Sequence, residues 1–191
     1  MNTLFPMQPI YPSGFRYLPN FINKEEEDSL LCLISTLELR PFKFQGYEAK
    51  RKVASYGFDW SFETRTLSKG KSIPSDFNHI IGKVASLIPV NIKDIGELLV
   101  TEYPDGSVIN WHRDAPPFDI IVGISLLTDC KFRFRPYKKS MQTRSSLISI
   151  PVQGRSLYII EGEARTDWEH SIAPVKTKRL SITLRTLRGG L

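Results

Sequence analysis

Two histidines and one aspartate in the C-terminal half of the chain have the types and spacing of metal ligands. His112 and Asp114 stand two residues apart at the end of a predicted strand, and His170 follows farther along, again between predicted strands. Side chains two apart in an extended chain point to the same side, so the first imidazole and the carboxylate can converge. Two imidazoles and a carboxylate form the facial triad that holds ferrous iron and leaves coordination positions open. On these residues alone, a structural hydrogen bond from His112 to Asp114, with His170 capping a strand, fits equally well.

The last predicted strand carries a polar row that favours the metal-site interpretation. Leu180, Ile182 and Leu184 alternate there with Arg179, Ser181, Thr183 and Arg185. Burying two guanidinium groups is costly unless an anion neutralises them. A small dicarboxylate would do so through charge-assisted hydrogen bonds. An edge strand with its polar side in water is the alternative interpretation of this single strand.

Taken in order, these motifs are similar to those of the AlkB family of 2-oxoglutarate and Fe(II)-dependent dioxygenases, over about residues 97–187. The stretch Thr101-Glu102-Tyr103-Pro104-Asp105-Gly106 precedes His112 much as the family's approach to its first metal ligand does. Residues 162–172, from Gly162-Glu163-Ala164-Arg165 to Trp168-x-His170-x-Ile172, are similar to the subgroup that includes tRNA wobble-uridine-modifying homologues. The set in this order is specific, although no single motif is.

The resemblance implies a role for each matching residue. His112, Asp114 and His170 would be the catalytic iron ligands, and Fe(II), 2-oxoglutarate and O2 would be the cofactors. The pocket for 2-oxoglutarate would be lined by Thr101, Tyr103, Arg179, Ser181, Thr183 and Arg185, with Arg179 and Tyr103 on the distal carboxylate and Arg185 near the metal-chelating end. Thr101 and Ser181 replace asparagines of the best-known member. Pro116 replaces an aspartate that contacts the methylated base, so base specificity does not carry over.

Substrate contacts are expected mainly in the region before the first ligand, where aromatic and basic residues interleave from Tyr47 to Arg65. Such a lid could stack a flipped base and grip phosphates, although a β-hairpin packed on the core would give the same pattern. A second basic stripe alternates along residues 131–135 and continues in Lys138, Lys139 and Arg144. The candidate substrate-binding residues are Arg51, Tyr56, Trp60, Arg65, Trp111, Arg133 and Arg165.

Composition places the chain among ordinary globular proteins. The 191 residues are 41% hydrophobic and 24% charged, with a net charge of +6. Residues 131–191 hold 13 lysines and arginines against four acidic residues, an asymmetry that favours a nucleic-acid partner or simply keeps the protein soluble. No stretch approaches the ~20 apolar residues of a membrane helix. Residues 1–15 lack the features of a secretory signal, and Cys32 and Cys130 have no ligand spacing, so a cytoplasmic, monomeric protein is expected.

Periodicity predicts two helices followed by short strands. Asn23 and Glu26 form a capping box at the start of the first helix, which Pro41 would end, and a second helix begins near Ser75. Seven strands are expected near 97–103, 107–112, 120–127, 131–136, 146–150, 156–161 and 179–187. This pattern indicates an α+β chain with a β-sandwich or barrel. The resemblance narrows it to one domain, 1–191, in which a double-stranded β-helix (jelly-roll) core, about 96–188, is buttressed by N-terminal helices and a nucleotide-recognition lid, about 1–95.

The expected function is oxidative demethylation of alkylated bases in nucleic acid, as in DNA repair. An RNA- or tRNA-modifying hydroxylase or demethylase and a protein hydroxylase are alternatives with the same iron site. A non-catalytic β-sandwich that binds nucleic acid through its basic half is the alternative from another class. Iron-dependent production of succinate separates this last alternative from the others.

Overall fold

Two antiparallel sheets packed face to face make up most of the molecule. The computed structural model describes residues 11–44, 46–88 and 92–189. The larger sheet has eight strands in the order β1-β10-β7-β12-β5-β3-β2, with β4 paired to β3, and the smaller sheet has the order β6-β11-β8-β9. We call these the major and the minor sheet.

The described residues form twelve strands and three α-helices. The strands are β1 (Phe15–Leu18), β2 (Arg40–Phe44), β3 (Tyr47–Ser61), β4 (Thr66–Lys69), β5 (Ile95–Tyr103), β6 (Ile109–His112), β7 (Phe118–Leu126), β8 (Cys130–Pro136), β9 (Ile148–Val152), β10 (Leu157–Ile160), β11 (Trp168–Ile172) and β12 (Arg179–Leu187). The helices are α1 (Lys24–Ser35), α2 (Asn78–Ala85) and α3 (Gly162–Thr166). All seven predicted strands are present within a few residues, whereas β1, β2, β11 and α3 were not predicted. Strands β3 and β4 pair as a hairpin, the alternative left open for the stretch from Tyr47 to Arg65.

The two N-terminal helices begin where the sequence places them. The Asn23 side chain accepts from the Glu26 amide at 2.8 Å and the Glu26 carboxylate accepts from the Asn23 amide at 2.9 Å, so the predicted capping box is confirmed. Helix α1 ends at Ser35, earlier than predicted, and Pro41 instead lies in β2. A 3-10 turn at Ser75–Phe77 leads into α2. No helix in the described ranges is long and apolar enough to cross a membrane.

Strand β12 shows how the major sheet divides the interior. Leu180, Ile182 and Leu184 belong to a buried cluster with Ile34 of α1 and Val84 of α2, so this side of the sheet packs on the helices. The opposite side faces the minor sheet through a second cluster that joins Tyr103, Ile121 and Tyr158 to the phenylalanines of β8. The polar row of β12 therefore lies between the sheets, as its strict alternation predicts.

Candidate metal centre

The two histidines are brought together by strand pairing. His112 ends β6 and His170 lies in the middle of β11, and the two residues are direct partners in the antiparallel ladder. Their ring centroids are 4.3 Å apart. The Nδ1 atom of His112 lies 2.9 Å from the main-chain oxygen of Asn110. A proton on Nδ1 satisfies that carbonyl and leaves Nε2 unprotonated, which is the form that binds a metal.

Asp114 completes the cluster from the turn after β6. Ligand atoms of His112, Asp114 and His170 all lie within 4.8 Å of one another, and the Nε2 atom of His170 is 3.4 Å from Oδ2 of Asp114. The other carboxylate oxygen, Oδ1, accepts two hydrogen bonds from Arg185, at 3.0 and 2.8 Å. Oδ2 is buried and has no hydrogen-bond partner among the described residues. A buried carboxylate oxygen without a donor is costly, and a cation between the three side chains would satisfy it.

The surroundings hold both buried ligands in their metal-binding forms. Burial is the largest single influence and would raise the pKa of Asp114, but Arg185, the two histidines and Arg165 together outweigh burial, and the pKa lies well below its usual range. Burial, reinforced by the neighbouring His112, lowers the pKa of His170 to about 3. At neutral pH the site therefore presents a carboxylate and a neutral imidazole, as a facial triad requires.

A second group of unsatisfied buried atoms lies in the same space between the sheets. Arg179 is completely buried, and its Nε donates to the Ser125 hydroxyl at 3.1 Å. Its two terminal nitrogens, Nη1 and Nη2, have no hydrogen-bond partner in the part of the chain that the structure describes. The Tyr103 ring packs against the guanidinium, with 4.8 Å from Cζ to the ring centroid, and the Tyr103 hydroxyl lies 3.4 Å from that of Ser181. A carboxylate would pair with the two free nitrogens in the bidentate geometry that guanidinium favours.

The residues predicted to line the 2-oxoglutarate pocket occupy neighbouring register positions of two strands. Arg179 pairs with Tyr103, and Ser181 pairs with Thr101, across β12 and β5. Thr183 and Arg185 continue the row towards Asp114, and all six side chains are buried or nearly so. Fe(II) at the triad and a dicarboxylate reaching Arg179 both fit this arrangement, because each would satisfy buried atoms that have no partner within the described ranges.

Comparison with known proteins agrees with this geometry. The family model described as the 2OG-Fe(II) oxygenase superfamily matches residues 14–186. The chain belongs to this superfamily. The oxygenase therefore depends on Fe(II), 2-oxoglutarate and O2, and it is a 2-oxoglutarate-dependent dioxygenase as the resemblance implies. The alternative of a non-catalytic β-sandwich was wrong.

Relatives place the oxygenase in the AlkB family. It is 27% identical, over 92% of its chain and 58% of the relative, to the alkylated DNA repair protein ALKBH8 homolog of Arabidopsis thaliana. It is 25% identical, over 86% of its chain, to the mouse tRNA (carboxymethyluridine(34)-5-O)-methyltransferase ALKBH8, of which it spans only 25%. Bovine RNA demethylase ALKBH5 is 30% identical over 49% of this chain and 25% of its own.

Solved structures show the same fold. The structure of OsALKBH1 superposes with a TM-score of 0.68 at 16% identity, covering 95% of this chain and all of that one. An oxidoreductase of the 2OG-Fe(II) oxygenase family from Burkholderia pseudomallei superposes with a TM-score of 0.65 at 14% identity, covering 93% of this chain and 87% of that one. The predicted jelly-roll core is confirmed, although the region before it also contributes strands β2 and β3 to the major sheet.

The predicted substrate residues are divided among several places. Arg51 stacks on Phe42 with its Cζ 4.0 Å from the ring centroid, and Trp60 packs on the cluster between the sheets. Tyr56 is partly buried and packs against the core cluster under the helices, and its substrate contact stays a prediction. Arg65 is exposed in the turn between β3 and β4. Tyr56 and Trp60 therefore lie on opposite sides of the major sheet. The alternation of side chains along β3 is broken between them at Gly57, which has a φ of +90°.

Arg165 lies beside the turn after β6. It is buried, and its Nη2 atom contacts the main-chain oxygens of Asp114, Ala115 and Phe118 at 3.1, 2.8 and 2.9 Å. Such a side chain holds the turn that carries Asp114, and its substrate contact stays a prediction. Trp111 and Arg133 lie on the outer face of the minor sheet, opposite the metal ligands.

Glu97 is the site residue that sequence reasoning missed. Its side chain is 5% exposed, it accepts from Nη1 of Arg185 at 2.5 Å, and its other oxygen accepts from the Ser55 hydroxyl at 3.1 Å. The bridge Ser55–Glu97–Arg185–Asp114 thereby links β3 to the metal ligand. The one available signal was an acidic residue in the otherwise apolar start of β5, Ile95-Gly96-Glu97-Leu98.

Proposed function

We propose that this AlkB-family dioxygenase oxidises a modified base in RNA. The observation that supports oxygenase chemistry most strongly is that Oδ2 of Asp114 and the two terminal nitrogens of Arg179 are buried without a hydrogen-bond partner among the described residues, in keeping with a cation at the triad and a carboxylate at Arg179. The case for RNA comes from relatives whose names include a tRNA methyltransferase and an RNA demethylase. The excess of basic residues in 131–191 agrees with a polyanionic substrate.

The chain's own residues supply position and electrostatics. Fe(II) with 2-oxoglutarate and O2 supplies the oxidising power that inserts one oxygen atom into a substrate C–H bond. His112, Asp114 and His170 would hold the metal on one side, and Arg179 would bind the distal carboxylate of 2-oxoglutarate. Arg185 keeps Asp114 ionised and fixed in orientation. The rings of Phe132 and Phe134 pack around His170 and keep bulk water from this side of the site.

The substituent on the base decides which product leaves. When the oxidised carbon is an N-methyl group, the hydroxylated product is a hemiaminal, which breaks down to formaldehyde and the bare base. When the oxidised carbon is bonded to another carbon, the hydroxyl group stays on the base. Demethylation and hydroxylation are therefore two outcomes of the same step, and the substrate distinguishes them.

Repair of alkylated DNA is the second candidate, and the name of the Arabidopsis relative favours it. Both candidates use the same pocket, so the nature of the polymer must be tested directly. Pro116 at the position of the repair enzyme's base-contacting aspartate removes one contact that would support the DNA function.

The test is mass spectrometry of modified oligonucleotides after incubation with Fe(II), 2-oxoglutarate and O2. Matched RNA and DNA oligonucleotides would carry the same modified bases, and the His170→Ala variant would serve as the inactive control. We expect loss of one CH₂, or gain of one oxygen atom, on RNA and only with the native protein. Equal or faster conversion of the DNA panel would replace the RNA proposal by the repair function, and no change on either panel would reject both.

A further inference from the structure

The outer face of the minor sheet carries a basic surface that the iron site does not use. Strand alternation sends His112 and His170 into the space between the sheets, and it sends their neighbours to the opposite face. Three cationic side chains on β8 occupy that face, Lys131, Arg133 and Arg135. With Trp111 of β6 they form what we call the outer basic face.

Trp111 and the sheet hold the two arginines in place. Their guanidinium carbons lie 5.1 Å (Arg133) and 4.6 Å (Arg135) from the Trp111 ring centroid. Arg133 donates from Nε to the Ser171 hydroxyl at 3.0 Å, and Arg135 donates from Nε to Glu169 at 2.6 Å. Ordered cations lose little conformational entropy when they bind a ligand. No hydrogen bond within the described ranges uses their terminal nitrogens, which are available to an external acceptor.

The outer basic face carries more positive than negative charge. Glu169 is the only acidic residue in the four strands of the minor sheet. On the edge strand β9, the exposed Ser149 and Pro151 lie beside Arg133 and Lys131, so this strand places no acidic side chain next to the cations. The exposed Lys138, Lys139 and Arg144 continue the positive charge into the connection from β8 to β9.

We propose that the outer basic face binds the phosphate backbone of a single-stranded nucleic acid. Alternate residues of a strand are about 7 Å apart, a spacing close to that of successive phosphates in an extended strand. Guanidinium groups recognise phosphate through paired hydrogen bonds, whereas an acidic peptide has its charges at irregular intervals. The surface accordingly suits a polymer with evenly spaced anionic groups.

The position of β6 links this surface to the iron site. Strand β6 is an edge of the minor sheet, and Trp111 immediately precedes His112. A nucleic-acid strand that crosses this edge contacts the outer basic face on one side and approaches the metal ligands on the other. This part of the inference rests on the proposed function, but phosphate binding by the face does not.

The test is the salt dependence of binding to an unmodified, fluorescently labelled single-stranded RNA, with the same DNA sequence in parallel. The Arg133→Gln/Arg135→Gln variant loses two cations from the face. The Lys24→Gln/Lys93→Gln variant loses two exposed cations from the helical side of the molecule and is the matched control. An Arg133→Lys/Arg135→Lys variant keeps the charge, and thermal unfolding checks that each variant folds.

We expect the glutamine variant to weaken binding to every sequence and to reduce the slope of log K against log salt by roughly 1–1.5. The lysine and control variants should keep the native slope. An unchanged slope in the glutamine variant, or an equal loss in the control, would overturn the proposal. Tighter binding of polyglutamate or of anionic vesicles than of either oligonucleotide would also overturn it. If the native protein oxidises no modified base yet the slopes differ as expected, the proposed function fails and this inference stands.

Discussion

The Nη2 atom of Arg165 lies 3.1 Å from the main-chain oxygen of Asp114, and this contact joins the two halves of the metal site. Arg165 belongs to α3, which leads directly into β11 and His170. The turn that it holds contains Pro116 and Pro117, which have no amide hydrogens to donate, and its main-chain hydrogen bond runs from the Phe118 amide to the Ala115 oxygen at 3.2 Å. Arg165 is therefore a positioning residue that fixes where Asp114 stands relative to His170.

Replacement of Arg165 by Met should weaken metal binding while the ligands themselves are intact. We expect a loss of about 10–100-fold in affinity, the usual effect of removing a group that orients a ligand. Titration with Co(II), followed by its visible absorption, measures this without turnover. Arg188→Gln, at an exposed arginine near Asp119, should bind Co(II) as the native protein does. Native affinity in Arg165→Met would contradict the positioning role.

Replacement of Arg179 by Met should act on 2-oxoglutarate. A hydrogen bond to a charged group contributes about 1.5–3 kcal/mol, so we expect KM for 2-oxoglutarate to rise by about 10–100-fold. Arg179→Lys keeps the charge but loses the paired hydrogen-bond geometry. Its KM for 2-oxoglutarate should lie between those of the native protein and Arg179→Met. Bound 2-oxoglutarate raises the unfolding temperature, and this rise should be largest in the native protein, smaller in Arg179→Lys and smallest in Arg179→Met. An unchanged KM in Arg179→Met would show that the carboxylate binds elsewhere.

Replacement of Glu97 by Ala should destabilise the fold through Arg185. The variant leaves a buried guanidinium with only Asp114 as its acidic partner, and breaking a buried pair costs about 3–5 kcal/mol. Urea unfolding measures the loss. Ser55→Ala removes only the outermost hydrogen bond of the bridge and should cost about 1 kcal/mol. Equal losses in the two variants would mean that the ion pair with Arg185 contributes little.

Glu27 offers a comparison far from the metal. Its buried carboxylate accepts the Leu127 amide at 2.9 Å and pairs with Arg155 at 3.2 Å, which ties α1 to the turn after β7. Glu27→Ala should lower the free energy of unfolding by about 2–4 kcal/mol without changing affinity for Co(II) or 2-oxoglutarate. A large change in either affinity would show that the helical layer and the iron site are coupled.

Local pattern predicted the parts of the fold that depend on neighbours in sequence. The capping box at Asn23 depends only on residues a few positions apart. The same is true of the alternation along β12, which correctly placed the core leucines on one side of the strand and Arg179 and Arg185 on the other. Residue type and order left the metal ligands open, and the resemblance to the AlkB family implied the three side chains that the structure brings together. In each case the local preference and the final fold agree.

Contacts between distant segments could not be predicted in the same way. The burial of Arg165 depends on three carbonyls of a turn about 50 residues earlier. The role of Glu97 depends on Arg185, which only strand pairing places beside it. Along β3, Gly57 breaks the alternation, so Tyr56 packs under the helices while Trp60 packs between the sheets.

The most direct test of the central claim is anaerobic titration of the metal-free protein with Fe(II) in the presence of 2-oxoglutarate. Chelation of the metal by the 2-oxo acid produces a visible charge-transfer absorption. We predict that this absorption saturates at one Fe(II) per chain in the native protein and is lost in the Asp114→Ala and His170→Ala variants. Saturation of the same absorption in both variants, or its absence from the native protein, would contradict an iron site at His112, Asp114 and His170.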